Sequence, residues 1–226
     1  MKTSRLFISA LAVMAGVLTA SPAINAQENG NRDENGKVVR GSYETNRFGD
    51  NWFVGVGAGV NSWWGKGVDG KAGIATDIYV GKWFTPSIGT RVGWAGLKNK
   101  VVANDGFTAC DGTFNCNTIH ADLLWNLSNA FSGYKETRTW NVIAYPSFAY
   151  MRARSNSEFG AGLGLLNSFR VSNRVNINLD LSALATKSTY PHVSPAPDTR
   201  LGVMPSAKIG VSVNLGRTNF KRHTSV

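Results

Sequence analysis

Six ionisable residues of the 226-residue chain lie in segments that are otherwise apolar or small: Asp77, Arg91, His120, Asp122, Asp180 and Lys208. Acids and bases confined together in a narrow interior pair, because an unpaired buried charge is costly. Such a set could be a structural ion-pair network, or a gated ion path opened by re-pairing. His120 and Asp122 stand two apart, so on a strand they share a face, and a histidine beside an acid is a general-base arrangement. No Ser/His/Asp set at a fixed spacing accompanies them. The remaining histidines, His192 and His223, fall in an expected loop and in the C-terminal tail. No catalytic residue is therefore assigned, and the expectation is a non-enzyme without cofactor or metal. Cys110 and Cys116 are the two cysteines, placed in the longest expected loop. In an oxidising compartment a disulfide is their expected state, with a stabilisation of ~2 kcal/mol for so short a loop. A metal site would need further ligands, and Asp105 and Asp111 are the nearest.

The chain must first be exported for that to hold. Lys2 and Arg5 precede a run from Leu6 to Ala20 without charge, followed by Ser-Pro-Ala-Ile-Asn-Ala up to Ala26. This reads as a secretory signal peptide over 1–26, in preference to a membrane anchor. Residues 27–50 are polar and charged without apolar period, and read as a flexible N-terminal arm. No later run reaches the 18 or more apolar residues of a membrane helix.

From Trp52 onward the apolar period is two. Trp52, Val54, Val56, Ala58 and Val60 share one face, with Phe53, Gly55, Gly57, Gly59 and Asn61 on the other. The glycines are spaced G-x-G-x-G, not as a dinucleotide loop, and no helical pattern follows. The alternation recurs over 74–81, 88–95, 119–127, 140–150, 159–166, 175–185 and 206–215. Eight strands of that length suit a tilted crossing of a bilayer. Shorter connections follow strands 2, 4 and 6 (around 85–87, 129–137 and 172–174), and longer ones follow strands 1, 3, 5 and 7 (62–72, 98–117, 152–157 and 187–200). Short turns on one side and long loops on the other mark an outer-membrane barrel.

The bulky apolar side chains occupy one face of these strands. Gly, Ser, Asn and the six charges occupy the other. An eight-stranded barrel has an interior only wide enough for side chains, so small and polar residues belong inside and large apolar ones toward lipid. The expected fold is all-β: an eight-stranded antiparallel up-and-down transmembrane β-barrel over 51–216, with a tail at 217–226. Aromatics gather at strand ends, as interfacial girdles require. Trp52, Trp83, Phe84, Phe131, Tyr134 and Phe169 are expected at the short-turn end, and Trp63, Trp64, Trp94 and Tyr150 near the long-loop end.

The segments Asp77–Pro86 (DIYVGKWFTP), His120–Leu127 (HADLLWNL) and Gly162–Asn167 (GLGLLN) resemble the N-terminal barrel of OmpA-like outer-membrane proteins. The resemblance spans roughly 51–216 and implies an eight-stranded barrel with a polar, largely plugged interior. Ten residues follow Gly216, so the peptidoglycan-binding domain of that family is not expected, and the last strand lacks a terminal aromatic, Phe220 being near but not last. The chain carries 24 Lys+Arg against 14 Asp+Glu, for a net charge of +10. Export and strand pattern argue against nucleic acid as the partner of that charge. The bilayer, with lipopolysaccharide in its outer leaflet, and surface proteins meeting the loops are the expected partners, and the oligomeric state is open. The leading expectation is an outer-membrane protein with a structural or surface-interaction role. A narrow pore for small solutes or ions is the alternative, and a lipid-modifying enzyme ranks third. Cleavage is expected after Ala26, so N-terminal sequencing of the exported protein should begin at Gln27; a start at Met1 would turn residues 6–20 into an anchor.

Overall fold

A computed structural model describes residues 47–64, 68–103, 111–153, 156–187, 201–218 and 220. The expected signal peptide, most of the expected N-terminal arm and the end of the tail lie outside the described residues. Eight strands follow in order: β1 (Trp52–Asn61), β2 (Val68–Trp83), β3 (Ile88–Ala103), β4 (Asp111–Asn126), β5 (Trp140–Ala153), β6 (Asn156–Arg170), β7 (Val175–Lys187) and β8 (Leu201–Leu215). Each pairs antiparallel with its neighbours, and β1 pairs with β8 to close the barrel. Closure runs from Trp52↔Leu215 to Asn61↔Ser206 and continues past β1 through a bridge between Trp64 and Val203.

The two faces divide as the period-two pattern requires. Ile78 is 57% exposed, Phe148 67% and Ile209 65%, all on the outer face. In water such a surface would be a large apolar patch, whereas hydrocarbon is its proper solvent. The short-turn end holds the start of β1 and the end of β8. Two of its turns are tight: Phe84 and Thr85 both donate backbone N–H to the Ile88 carbonyl, and Ile88 N–H donates to the Thr85 hydroxyl at 2.9 Å. Ser172 closes the β6–β7 turn in the same way, accepting from Val175 N–H at 3.1 Å.

The strands depart from the expected bounds mainly at the other end. β2, β3 and β4 each run 16 residues, against the 9–11 that cross a bilayer. Much of the expected 98–117 loop is a paired ribbon, with Lys100 opposite Thr113 and Val102 opposite Asp111. The apolar stripe alone marks the buried part of a strand, and pairing continues beyond it because backbone groups in water still gain from a partner. A bulge between Lys71 and Ile74 shifts the β2–β3 register as β2 rises out of the apolar band.

The connection after β4 also differs. Leu127, expected on the outer face of the fourth strand, opens a short helix, α1 (Leu127–Ser132). The Asn126 side chain accepts from Asn129 N–H at 3.0 Å and starts the helical turn, as an N-cap does. Ser128 on α1 then receives Val142 N–H at 2.9 Å, replacing the ladder partner that β4 no longer supplies. Replacing Ile78 with Arg should cost about 2–4 kcal/mol. Urea unfolding in phospholipid vesicles checks this; an unchanged midpoint would take Ile78 off the lipid face.

Candidate functional site in the barrel lumen

The inward positions build three layers. Nearest the short turns, Phe53, Tyr79, Leu124, Ile143, Tyr145 and Leu166 form a buried aromatic–aliphatic cluster. Toward the long loops, Trp63, Ala75, Leu97, Cys116, Met151 and Met204 belong to a second. Between them lies a layer of charge.

That layer brings together all six ionisable residues singled out from the sequence. β3 supplies Arg91, whose Nε meets Asp122 Oδ2 at 2.6 Å and whose Nη1 meets Asp180 Oδ2 at 3.1 Å. The guanidinium also lies over two rings, 4.9 Å from the Tyr79 centroid and 4.7 Å from that of Tyr145. A planar, delocalised cation suits such a place better than an ammonium. β4 supplies His120, with Nε2 at 3.0 Å from Asp77 Oδ1 and Nδ1 at 3.0 Å from Asp122 Oδ2. A carboxylate only accepts, so both ring nitrogens donate and the ring is an imidazolium. Lys208 of β8 closes the network on Asp77 Oδ2 at 2.6 Å. Three carboxylates thus face three cations. Tyr145 donates its hydroxyl to Asp180 Oδ1 and so joins the charge layer, whereas the Tyr79 hydroxyl accepts from Asn178 at 3.1 Å, and Asn178 also donates to the Ser212 hydroxyl at 2.9 Å. The space left beside this layer measures about 60 Å³, enough for a few waters.

The spaced glycines make room for these groups. A Cβ built on Gly93 would stand 2.5 Å from His120 Nε2. One on Gly164 would collide with the Tyr145 ring, and one on Gly55 with the ring of Tyr79. Tyr79 and Tyr145, which hold the arginine, were not singled out in the sequence. Tyr79 carried a signal, since it shares strand parity with Asp77 and Gly81, whereas Tyr145 shares its parity with Asn141 and Ser147 and has no charge or glycine on its strand's inward face.

The remaining site residues divide. Trp52, Phe84, Trp94 and Phe169 face outward, the last three 42–49% exposed. Trp94 follows Ile88 and Val92 on the exposed outer face of β3. Trp83 is a correction: it has inward parity and packs on Phe53, ring centroids 6.2 Å apart, so it belongs to the inner cluster and not to a girdle. Trp63 is likewise inside, 1% exposed, because it continues the inward parity of Asn61 while the chain stays paired to β8 through Trp64. Cys116, expected in a loop, is on β4 with its Sγ 3.3 Å from the Thr118 hydroxyl. Its expected disulfide partner, Cys110, lies outside the described residues. Among the described residues no group of three or more ligating side chains is arranged to hold a metal.

No family model matches the chain. It is 24% identical over 233 residues to outer membrane protein 40 of Porphyromonas gingivalis, covering 94% of this chain and 58% of that protein. It is 25% identical over 203 residues to outer membrane protein 41 of the same organism, covering 79% and 51%. The chain thus spans just over half the length of these relatives. Among solved structures it is similar to Neisserial surface protein A, with 14% identity, a TM-score of 0.48, and 73% of this chain and 97% of that one covered.

Replacing Arg91 with Met leaves Asp122 and Asp180 without their shared cation and should cost about 3–5 kcal/mol. D77N and K208M together should cost less than the sum of the two single changes, because each single change strands the other's charge. Urea midpoints followed by the gel shift of the folded barrel measure both; strict additivity would mean the pair is not coupled.

Proposed function

Taking the chain as an outer-membrane β-barrel of OmpA-like kind, we propose that its role is structural and surface-facing, with the long-loop hairpins as the contact surface and no transport through the lumen. The observation that supports this reading is the filled interior. A solute would have to displace two apolar clusters and a balanced charge layer in which Arg91 is held by two carboxylates and two rings. Opening such a network exposes unpaired charges in a medium of low dielectric, which is a large barrier to conduction. His120 has both nitrogens committed to carboxylates and is buried, so it offers no free base to a lipid substrate.

The surface part of the reading rests on the long hairpins. β2, β3 and β4 exceed the bilayer-crossing length, and their excess lies on the long-loop side, which faces outward in barrels of this kind. A paired ribbon presents its side chains at lower entropic cost than a floppy loop, which favours recognition. Partners fitting this face are surface proteins and the anionic headgroups of the outer leaflet.

Reconstituted into a planar bilayer, the protein should give no channel steps, whereas Arg91→Ala combined with Tyr145→Ala should leak. Regular unitary conductance by the unaltered chain would sink the closed-barrel reading and restore the narrow pore.

A further inference from the structure

The short-turn mouth of the barrel carries an unbalanced cation. Arg138, in the segment between α1 and β5, is only 4% exposed. One of its terminal nitrogens donates to the Gly133 carbonyl at 2.7 Å, while its Nε is buried without a partner. Among the described residues no carboxylate pairs with it, and burial alone pulls its pKa below the usual arginine value. A buried guanidinium in that state is expensive unless something satisfies it.

Arg138 lines a cavity of about 140 Å³, roughly ten times what one water needs. Its wall also holds Lys135, Arg170 and seven asparagines, among them Asn126, Asn141 and Asn176. Glu136 is the single acid of the lining. Asn129 supplies the complementary defect. Its Nδ2 donates to the Pro86 carbonyl at 2.7 Å, but its Oδ1 is buried with no donor. Arg138 and Asn129 line the same cavity, and each keeps one buried polar atom without a partner, a donor on Arg138 and an acceptor on Asn129. A carboxylate satisfies only the first, whereas a phosphate that carries one hydroxyl satisfies both.

We propose that this mouth is a binding site for a phosphate-type oxyanion, with Arg138 as its charge, Asn129 as the acceptor for its hydroxyl, and Arg170 at the rim. The ligand is either free phosphate or the terminal phosphate of an ester. On the short-turn side it is met in the periplasm, away from the outward hairpins, so the site stands independently of the surface role.

The test uses the full mature chain refolded in neutral detergent, at constant ionic strength set with chloride. Tryptophan emission, with Trp83 in the cavity wall, and calorimetry follow titration with inorganic phosphate, glycerol phosphate and acetate. Phosphate or glycerol phosphate should bind at least tenfold more tightly than acetate, and the tighter of the two identifies the free ion or the ester as ligand. R138Q should weaken binding at least tenfold while keeping the faster migration of the unboiled barrel. If R138Q does not fold, R138K and R170Q should each weaken it several-fold. No saturable binding by the unaltered chain, acetate binding as tightly as phosphate, or affinity indifferent to all three variants would overturn the proposal.

Discussion

Hydrocarbon offers no hydrogen-bond partner to a peptide group, and the rest of the structure follows from that constraint. A sheet in such a solvent must close on itself, since an open edge would leave a row of unmet donors and acceptors. The β1–β8 pairing provides that closure. Eight strands make a narrow tube, so whatever faces inward must fill it. The same solvent takes the large apolar side chains outward, leaving small, polar and charged groups for the interior. Those charges can then be kept only in balance, which is what Arg91, His120 and Lys208 do against Asp77, Asp122 and Asp180.

Balance alone would not hold such a layer in place. Burying ions costs several kcal/mol each even when paired, and the pairs repay this only with good geometry and further hydrogen bonds. Here the guanidinium lies over the rings of both Tyr79 and Tyr145, their hydroxyls are held by Asn178 and Asp180, and glycines on adjacent strands leave room for the two rings. Apolar clusters above and below exclude bulk water and so strengthen each contact in the layer. The three layers act together as a rigid filling.

The wall was legible in the sequence because its cause is local. Strict alternation from Val175 to Ala185 can be satisfied in only one way by a strand with lipid on one side. The six ionisable residues were legible for the same reason: a charge on the small-residue face has nowhere to go but inward. Their partners were not, since the contact of Arg91 with Asp180 depends on barrel register and not on spacing along the chain. Trp83 and Trp63 were misjudged because an aromatic near a strand end fits a girdle by type, and parity alone decides its side. The ribbon beyond the membrane escaped because Lys98, Asn99 and Lys100 carry no apolar period while their backbones still pair. Arg138 escaped altogether. It sits between α1 and β5 with no pattern around it, and only the folded mouth buries it.

The closing seam joins the first strand to the last, and this governs when the protein can exist. Asp77 on β2 finds Lys208 only on β8, and Arg91 on β3 finds Asp180 only on β7. Until the final hairpin emerges from the export channel, the growing chain is an apolar ribbon with two raw edges and stranded charges, the kind of species that pairs with its neighbours. Closure of the wall and pairing of the interior charges are therefore completed together, and only once the last strands are in hand.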